Sequence, residues 1–150
     1  MIPTNTVGSA RPVATTGTDG PGTEPVAAAP LLLVVEDDQH AKEGLTEFLL
    51  SHGYRVCDAK DGTEALLKLE TYRPDVVLLD LALPKMDGWS VARQLRSDDR
   101  FRDVTVIAMS ALDYPDEVRR AHEAGCDAFL PKPVNLRRLL PVIEHAIGPR

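Results

Sequence analysis

The sequence predicts an α/β fold with a doubly wound, five-stranded parallel sheet and five helices. Short apolar runs alternate with amphipathic stretches five times between residues 31 and 147. Runs that are apolar throughout are typical of strands covered on both faces, which is the usual state of parallel strands. Right-handed crossovers leave few strand orders, and we expect the order 2-1-3-4-5. In that order a ligand crevice lies between strands 1 and 3, at their carboxyl ends.

The first two strand–helix units have clear boundaries. LLLVV predicts the first strand, and Leu45, Phe48 and Leu49 recur at helical spacing in the stretch that follows. Asp38 suits the N-cap of that helix, and Gly53 ends it. YRVCDA alternates less cleanly and favours an edge strand. The second helix begins at Asp61 or Thr63, with its apolar residues facing the core (Ala65, Leu66 and Leu69).

The last three units follow the same pattern. DVVLLD and VTVIAMS are apolar runs, whereas DAFL is a short final strand. Asp87 fits the N-cap of the third helix, Pro115 fits the first turn of the fourth, and Gly125 ends that helix. The predicted strands are 31–35, 54–59, 75–80, 104–110 and 127–130; the predicted helices are 39–51, 61–72, 88–96, 115–124 and 136–147.

Residues 1–30 differ in composition from the rest of the chain. They contain five prolines, four glycines and six threonines, and their charged residues are Arg11, Asp19 and Glu24. Such a segment cannot bury enough apolar surface to offset the loss of conformational entropy. We therefore predict a disordered tail at 1–30 and a folded domain at 31–150. The tail lacks the pattern of a signal peptide, and its apolar run is too short to cross a membrane.

Charge and cysteine content narrow the class of function. The chain has 17 basic and 23 acidic residues, a balance that argues against direct DNA binding through a broad basic face. Cys57 and Cys126 lie far apart without metal-ligand spacing, so we expect two free, buried thiols. We expect a cytoplasmic protein without a membrane insertion.

Polar residues collect at the carboxyl ends of four predicted strands. Glu36 and Asp37 follow the first strand, Asp80 ends the third, Ser110 ends the fourth and Lys132 follows the fifth. In the expected order these strands are neighbours, so the five side chains can converge. Three close carboxylates repel one another, and a hard divalent cation such as Mg²⁺ relieves that repulsion. The sequence therefore predicts a magnesium site.

Four segments, LLLVVEDD, VVLLDLALPKMDG, VIAMSA and FLPKP, resemble the landmarks of the response-regulator receiver domain, the CheY-like phosphoacceptor of two-component systems. The resemblance covers residues 31 to about 147. It implies Asp80 as the phosphorylated residue and Lys132 as its ion-pair partner. It also implies a Mg²⁺ site formed by Asp37, Asp80 and the Ala82 carbonyl, with Glu36 acting through water.

The resemblance assigns the remaining roles as well. Ser110 would hydrogen-bond the phosphoryl group, Phe129 would be the switching aromatic, and the Lys132–Pro133 bond would be cis. The donor would be a sensor histidine kinase or a histidine phosphotransfer protein. Because the chain stops at Arg150, we expect a stand-alone regulator that signals by binding an unknown protein, as a monomer or a phosphorylation-dependent dimer. Ala82 and Leu112 are apolar where the family often has polar residues, which favours slow dephosphorylation.

Other interpretations of these residues remain open. A phosphohydrolase of the haloacid dehalogenase type also uses a strand-end aspartate, but it needs a second aspartate at the position of Ala82 and a cap domain. A degenerate receiver acting as a constitutive scaffold would lack one of the landmark residues. Taken singly, Ser110 is an ordinary strand-end hydroxyl and Lys132 a solvated loop charge, while Phe129 and Trp89 are core residues. The arginines at 119, 120, 137 and 138 form either a partner surface or solvated charge.

Overall fold

The computed structural model describes residues 4–5, 7–8, 29–83, 86–112 and 115–148. Most of the predicted N-terminal tail lies outside the described residues, so its disorder stays a prediction. Within it, Thr4–Asn5 and Val7–Gly8 form a two-residue antiparallel pair. The strands of the main sheet are β1 (Leu31–Val35), β2 (Arg55–Ala59), β3 (Val76–Asp80), β4 (Thr105–Ser110) and β5 (Ala128–Pro131). The α-helices of this domain are α1 (Gln39–Ser51), α2 (Gly62–Tyr72), α3 (Gly88–Arg96), α4 (Pro115–Glu123) and α5 (Leu136–Ile147).

The five strands form one parallel sheet in the order β2-β1-β3-β4-β5. The predicted fold class and strand order are confirmed. Several predicted elements differ from the observed ones by a single residue at one end. The fifth strand differs by one residue at both ends, since it runs from Ala128 to Pro131 rather than from 127 to 130, and it therefore extends directly up to Lys132.

Helices cover both faces of the sheet and create two apolar layers. Alternate strand residues point to opposite sides, so Leu32 and Val34 enter one layer while Leu33 and Val35 enter the other. The first layer packs against α1 and α5, and the second packs against α2, α3 and α4. Because both faces of the central strands are covered, β1 is apolar throughout and β3 is apolar up to its last residue, Asp80.

Side chains cap four of the helices at their N-termini. The carboxylate oxygens of Asp38, Asp61 and Asp87 accept hydrogen bonds from main-chain N–H groups in the first turns of α1, α2 and α3, and Asn135 does the same for α5. The predicted caps at Asp38 and Asp87 are confirmed, and Asp61 rather than Thr63 caps α2. Each cap contributes roughly 0.5–2 kcal/mol. The caps therefore fix where α1 and α3 begin beside the strand ends.

The segment between α3 and β4 contains structure that was not predicted. A 3-10 helix, Asp99–Phe101, buries Phe101 against the second layer. Arg96 anchors this region, since its guanidinium donates to the carbonyls of Val104 and Gly125 and to the carboxylate of Asp127. Gly125 has φ +105°, as expected for the residue that ends the turn after α4.

None of the described helices has the length and apolar character needed to cross a lipid bilayer.

Both cysteines are free, and Cys126 is buried while Cys57 is half-buried. Burial raises the pKa of the Cys57 thiol to about 12 and that of Cys126 to about 11. Because only the thiolate is nucleophilic, we expect both to react with iodoacetamide at pH 8 at least about a hundredfold more slowly than a free thiol. Mass spectrometry should find two labels after denaturation in urea. Rapid labelling of either cysteine in the folded protein would contradict this burial.

Candidate functional site

The carboxyl ends of β1 and β3 bring three acidic residues together. Glu36 and Asp37 follow β1 directly, and Asp80 is the last residue of β3, its neighbour in the sheet. Each offers a carboxylate oxygen, and the three oxygens lie within 4.8 Å of one another. Glu36 is 1% exposed and Asp80 is 3% exposed, whereas Asp37 is on the surface. Asp80 is therefore almost fully buried, although it is the last residue of its strand.

Main-chain hydrogen bonds extend the strand pairing beyond the strand ends and hold the site residues in place. The Glu36 N–H donates to the Ala59 carbonyl over 3.0 Å, and the Leu81 N–H donates to the Met109 carbonyl over 3.0 Å. On the other side of β4, the Lys132 N–H donates to the Ser110 carbonyl over 2.8 Å. The backbone of each site residue is thus fixed by the sheet rather than by a free loop.

Lys132 is the cation of this site. Its Nζ lies 2.7 Å from Glu36 Oε1 and 3.3 Å from Asp80 Oδ2, and a quarter of its side chain is exposed. The peptide bond between Lys132 and Pro133 is cis, as expected. The ammonium group therefore bridges carboxylates from two different strands.

The second oxygen of each buried carboxylate is bonded to the main chain. The Asp38 N–H donates to Glu36 Oε2 over 3.1 Å, and the Ala82 N–H donates to Asp80 Oδ1 over 3.0 Å. A buried carboxylate is tolerated only when its oxygens are paired in this way. Both groups consequently have a fixed orientation toward the cleft.

Burial and charge shift the proton equilibria of two of these groups. Burial raises the pKa of Glu36, and the hydrogen bond from Lys132 opposes part of that rise. For Lys132, burial acts to lower the pKa, but the bond to Glu36 and the charge of Asp80 outweigh it, so the pKa is raised. Lys132 is therefore a cation at neutral pH. With all three acids ionised the cluster has three negative charges and one positive charge, a net of −2.

The cluster fits a hard divalent cation. Mg²⁺ prefers oxygen ligands, keeps several waters and is usually held by one or two carboxylates. Asp37, Asp80 and Glu36 supply such oxygens, and the ion would balance the excess negative charge. Ala82 lies next to the site through its N–H contact with Asp80. The role of its carbonyl as a ligand remains a prediction.

Ser110 and Phe129 lie on the strands beyond β3. Met109 pairs with Asp80, so Ser110 is one residue past that pair, and its buried Oγ accepts the Leu112 N–H over 3.0 Å. Phe129 on β5 is half-buried and packs against the second apolar layer. Ser110 thus sits at the site, whereas Phe129 is a neighbour of the core.

Gly88 is part of the site but was not assigned a role from the sequence. Its N–H donates to the Leu81 carbonyl over 3.2 Å. A Cβ at this position would lie 2.5 Å from the Asp80 carbonyl oxygen and 2.7 Å from the Leu81 Cα. Only glycine allows the first turn of α3 to lie directly against the backbone of Asp80. The feature of the sequence that could have indicated this contact is a glycine directly after the N-cap residue Asp87.

The fold agrees with comparisons to known proteins. The model of the response regulator receiver domain family matches residues 32–144, and the chain belongs to this family. Members are signalling proteins of two-component systems rather than conventional enzymes. Phosphorylation of an aspartate and binding of Mg²⁺ at the acidic site are typical of them.

Individual relatives are similar over different lengths. The polar-differentiation response regulator DivK of Brucella anthropi is 30% identical over 117 residues, which cover 78% of this chain and 95% of DivK. The response regulator MprA of Mycobacterium sp. strain KMS is 42% identical over 109 residues, which cover 73% of this chain. The match to MprA spans 46% of that protein, so this chain corresponds to about half of its length.

Solved structures show the same architecture. The receiver domain of a sensor histidine kinase from Pseudomonas aeruginosa PAO1, with a magnesium ion coordinated in its active-site cleft, aligns with a TM-score of 0.75 and 32% identity, over 81% of this chain and all of that domain. The chemotaxis protein CheY4 of Vibrio cholerae aligns with a TM-score of 0.76 and 26% identity, over 79% of this chain and 99% of that one.

Replacing Lys132 with methionine should destabilise the protein, because Glu36 and Asp80 would lose their cation. Removing one partner of a buried ion pair costs up to about 5 kcal/mol, and the partial exposure of Lys132 reduces our expectation to about 1–3 kcal/mol. Urea unfolding without divalent ions measures the change. Mg²⁺ should restore part of the loss. Arg138→Met removes an exposed cation and is the control; an equal effect of both substitutions would contradict the bridging role.

Proposed function

We propose that this receiver domain accepts a phosphoryl group on Asp80 in a Mg²⁺-dependent reaction and signals through a change in protein binding. The observation that carries the proposal is the position of Asp80, between the Lys132 ammonium and the acidic pair that fits a divalent cation. A phosphoryl transfer needs an in-line nucleophile together with positive charge around the transferred group. The residues at this strand edge supply the nucleophile and one of those charges.

Asp80 suits the role of nucleophile because its carboxylate has a fixed orientation. One oxygen accepts the Ala82 N–H, and the other lies 3.3 Å from Lys132 Nζ. A carboxylate oxygen would attack phosphorus and form the P–O bond. The P–N bond to a phosphohistidine donor would break, and its electron pair would return to the imidazole nitrogen. The product is an acyl phosphate on Asp80.

Asp37 and Asp80 would hold Mg²⁺ directly, with the Ala82 carbonyl as a third ligand and Glu36 acting through a water molecule. When bound, the ion neutralises charge on the phosphoryl oxygens. Lys132 would move its interaction from the carboxylates toward the phosphoryl group. Ionised donors and acceptors make hydrogen bonds of roughly 1.5–3 kcal/mol, which is enough to favour a new arrangement of the site.

Ser110 would transmit the change to the surface. Its hydroxyl bonds the Leu112 N–H in the unphosphorylated protein and would turn to donate to a phosphoryl oxygen. The backbone after β4 would then shift, and Phe129 would move into the space beneath α4. This changes the surface formed by α4, β5 and α5, where Arg119, Arg120 and Arg137 are exposed.

The acyl phosphate should be long-lived. Ala82 and Leu112 are both exposed beside the site, and neither side chain can orient an attacking water molecule by a hydrogen bond. The donor in this proposal is a sensor histidine kinase or a histidine phosphotransfer protein in the cytoplasm. The response regulator DivK, which this chain matches over 95% of its length, supports signalling through a receiver domain of this kind. Monomer and phosphorylation-dependent dimer are both compatible with this scheme.

The alternatives receive less support from the site. A phosphohydrolase of the haloacid dehalogenase type would need an acid at position 82, where alanine stands. A constitutive scaffold would not need a buried acidic cluster bridged by a lysine, because that cluster has a cost in desolvation. The scaffold gives no reason for acids, a hydroxyl and an ammonium group to meet at one strand edge, whereas the phosphohydrolase is disfavoured by Ala82.

Asp80→Asn should abolish phosphorylation by a small donor such as acetyl phosphate with Mg²⁺. The amide is not a nucleophile, while its shape and its hydrogen bond from Ala82 can be kept. Intact-mass measurement should show one added phosphoryl group in the parent protein and none in the variant. Asp87→Asn is the control. Asp87 caps α3, and its substitution should leave the labelling of Asp80 unchanged. Full labelling of Asp80→Asn would mean that another residue is the acceptor.

Asp37→Ala should remove the rise in melting temperature that Mg²⁺ gives the unphosphorylated protein. A ligand stabilises the folded state by its binding free energy, and at a hundred times its dissociation constant this amounts to about 2.7 kcal/mol. Differential scanning calorimetry with and without Mg²⁺ measures the effect. Asp75→Ala, at the opposite end of β3, serves for comparison. An unchanged rise in the Asp37 variant would place the ion elsewhere.

A further inference from the structure

A contact between Trp89 and Arg120 joins the third and fourth helices. The guanidinium carbon of Arg120 lies 4.5 Å from the centre of the Trp89 ring, within the range of a cation–π interaction. Trp89 is 9% exposed in the first turn of α3, whereas Arg120 is on the outer part of α4. Trp89 is the only tryptophan in the sequence.

The helix that carries Arg120 is weakly anchored. Within α4, all of whose residues are described, only Ala121 is buried. A helix of this length is not stable in isolation, so its position depends on contacts with the rest of the domain. The ion pairs described for α4 stay within the helix: Arg119 pairs with Asp116 and Glu123, and Arg120 pairs with Glu117. Besides the buried Ala121, the Trp89 contact therefore holds a side chain of α4 to α3.

Trp89, the partner of Arg120 in this contact, is connected through Gly88 to the backbone of the candidate phosphoacceptor, Asp80. Trp89 follows Gly88, which bonds the Leu81 carbonyl and has no room for a Cβ beside the Asp80 carbonyl oxygen. The first turn of α3 is therefore fixed by the backbone of Asp80 and Leu81. A series of contacts therefore connects Asp80 through Gly88 and Trp89 to Arg120 on α4.

The chain on the N-terminal side of α4 is bonded at the same site. Ser110 accepts the Leu112 N–H, and α4 begins three residues further along the sequence, at Pro115. The Ser110 hydroxyl thus lies close in sequence to the start of α4, and Trp89 contacts the helix further along, at Arg120. A rearrangement at Ser110 would act against the Trp89 contact.

We propose that the Trp89–Arg120 contact is a restraint that holds α4 against α3 in the unphosphorylated protein and opposes the phosphorylated arrangement. This inference rests on the proposed phosphoacceptor function of Asp80. When Ser110 turns toward the phosphoryl group, α4 shifts and Arg120 leaves the Trp89 ring. Because coupling between two sites is reciprocal, removing the contact must strengthen binding at the phosphoryl site.

The test compares two neighbouring arginine substitutions. Arg120→Gln removes the charge and the Trp89 contact, whereas Arg119→Gln removes the same charge and intrahelical ion pairs but leaves Trp89 untouched. Beryllium fluoride with Mg²⁺ serves as a phosphoryl mimic, and its affinity is measured by titration. We expect Arg120→Gln to bind it about two- to fivefold more tightly, as a single cation–π contact allows. Arg119→Gln and Arg120→Lys should bind it as the parent protein does.

Tryptophan fluorescence provides a second readout. If the role of Arg120 were purely structural, the variants would not show the following pattern of emission changes. The mimic should alter Trp89 emission in the parent protein and in Arg120→Lys, and alter it less in Arg120→Gln. Equal affinities of the Arg119→Gln and Arg120→Gln variants would overturn the restraint while leaving the phosphoacceptor function intact. Absence of mimic binding to the parent protein in the presence of Mg²⁺ would overturn both.

Discussion

The bridge that Lys132 makes between Glu36 and Asp80 is the interaction on which the site depends. Two nearly buried carboxylates would repel each other and lose their hydration without it. The ammonium lies 2.7 Å from one and 3.3 Å from the other, and main-chain N–H groups bond the remaining oxygens. A buried ion pair of this kind is rarely a net source of stability. Its value is that it holds an acidic centre in one geometry while leaving net negative charge for an incoming cation.

The parallel sheet makes this geometry possible. Because β1, β3, β4 and β5 are consecutive neighbours, their carboxyl ends meet at one edge. Hydrogen bonds that continue the pairing to Glu36, Leu81 and Lys132 fix the backbone at that edge. The hydrogen-bonded sheet thus extends as far as the residues of the candidate site. In contrast, α4 has a single buried residue, Ala121, and little packing opposes its displacement by a change at the site.

The sequence was sufficient to predict the fold class and the residues that follow the strand ends, because both follow from the hydrophobic pattern. The strand order was expected as one of the two common orders of doubly wound sheets, and the structure confirms it. It was insufficient for features that arise only from tertiary contact. The 3-10 helix Asp99–Phe101 depends on Phe101 reaching the core and on Arg96 binding distant carbonyls. The cation–π pair of Trp89 and Arg120 joins residues 31 positions apart, and Arg120 gave no local signal that separates it from its solvated neighbour Arg119. The close approach of Gly88 to Asp80 was likewise not predicted, and the glycine at the start of α3 was its sole indication in the sequence.

The central claim is that Asp80 forms an acyl phosphate, and borohydride reduction tests it most directly. The protein is treated with a small phosphodonor and Mg²⁺, reduced with borohydride and digested, and its peptides are sequenced by mass spectrometry. Reduction converts a phosphorylated aspartate to homoserine, because the acyl phosphate is reduced to an alcohol while an ordinary carboxylate is not. We expect homoserine at position 80 alone, and only when Mg²⁺ was present during phosphorylation. Homoserine at Asp37, or at any other acidic residue in place of Asp80, would contradict it.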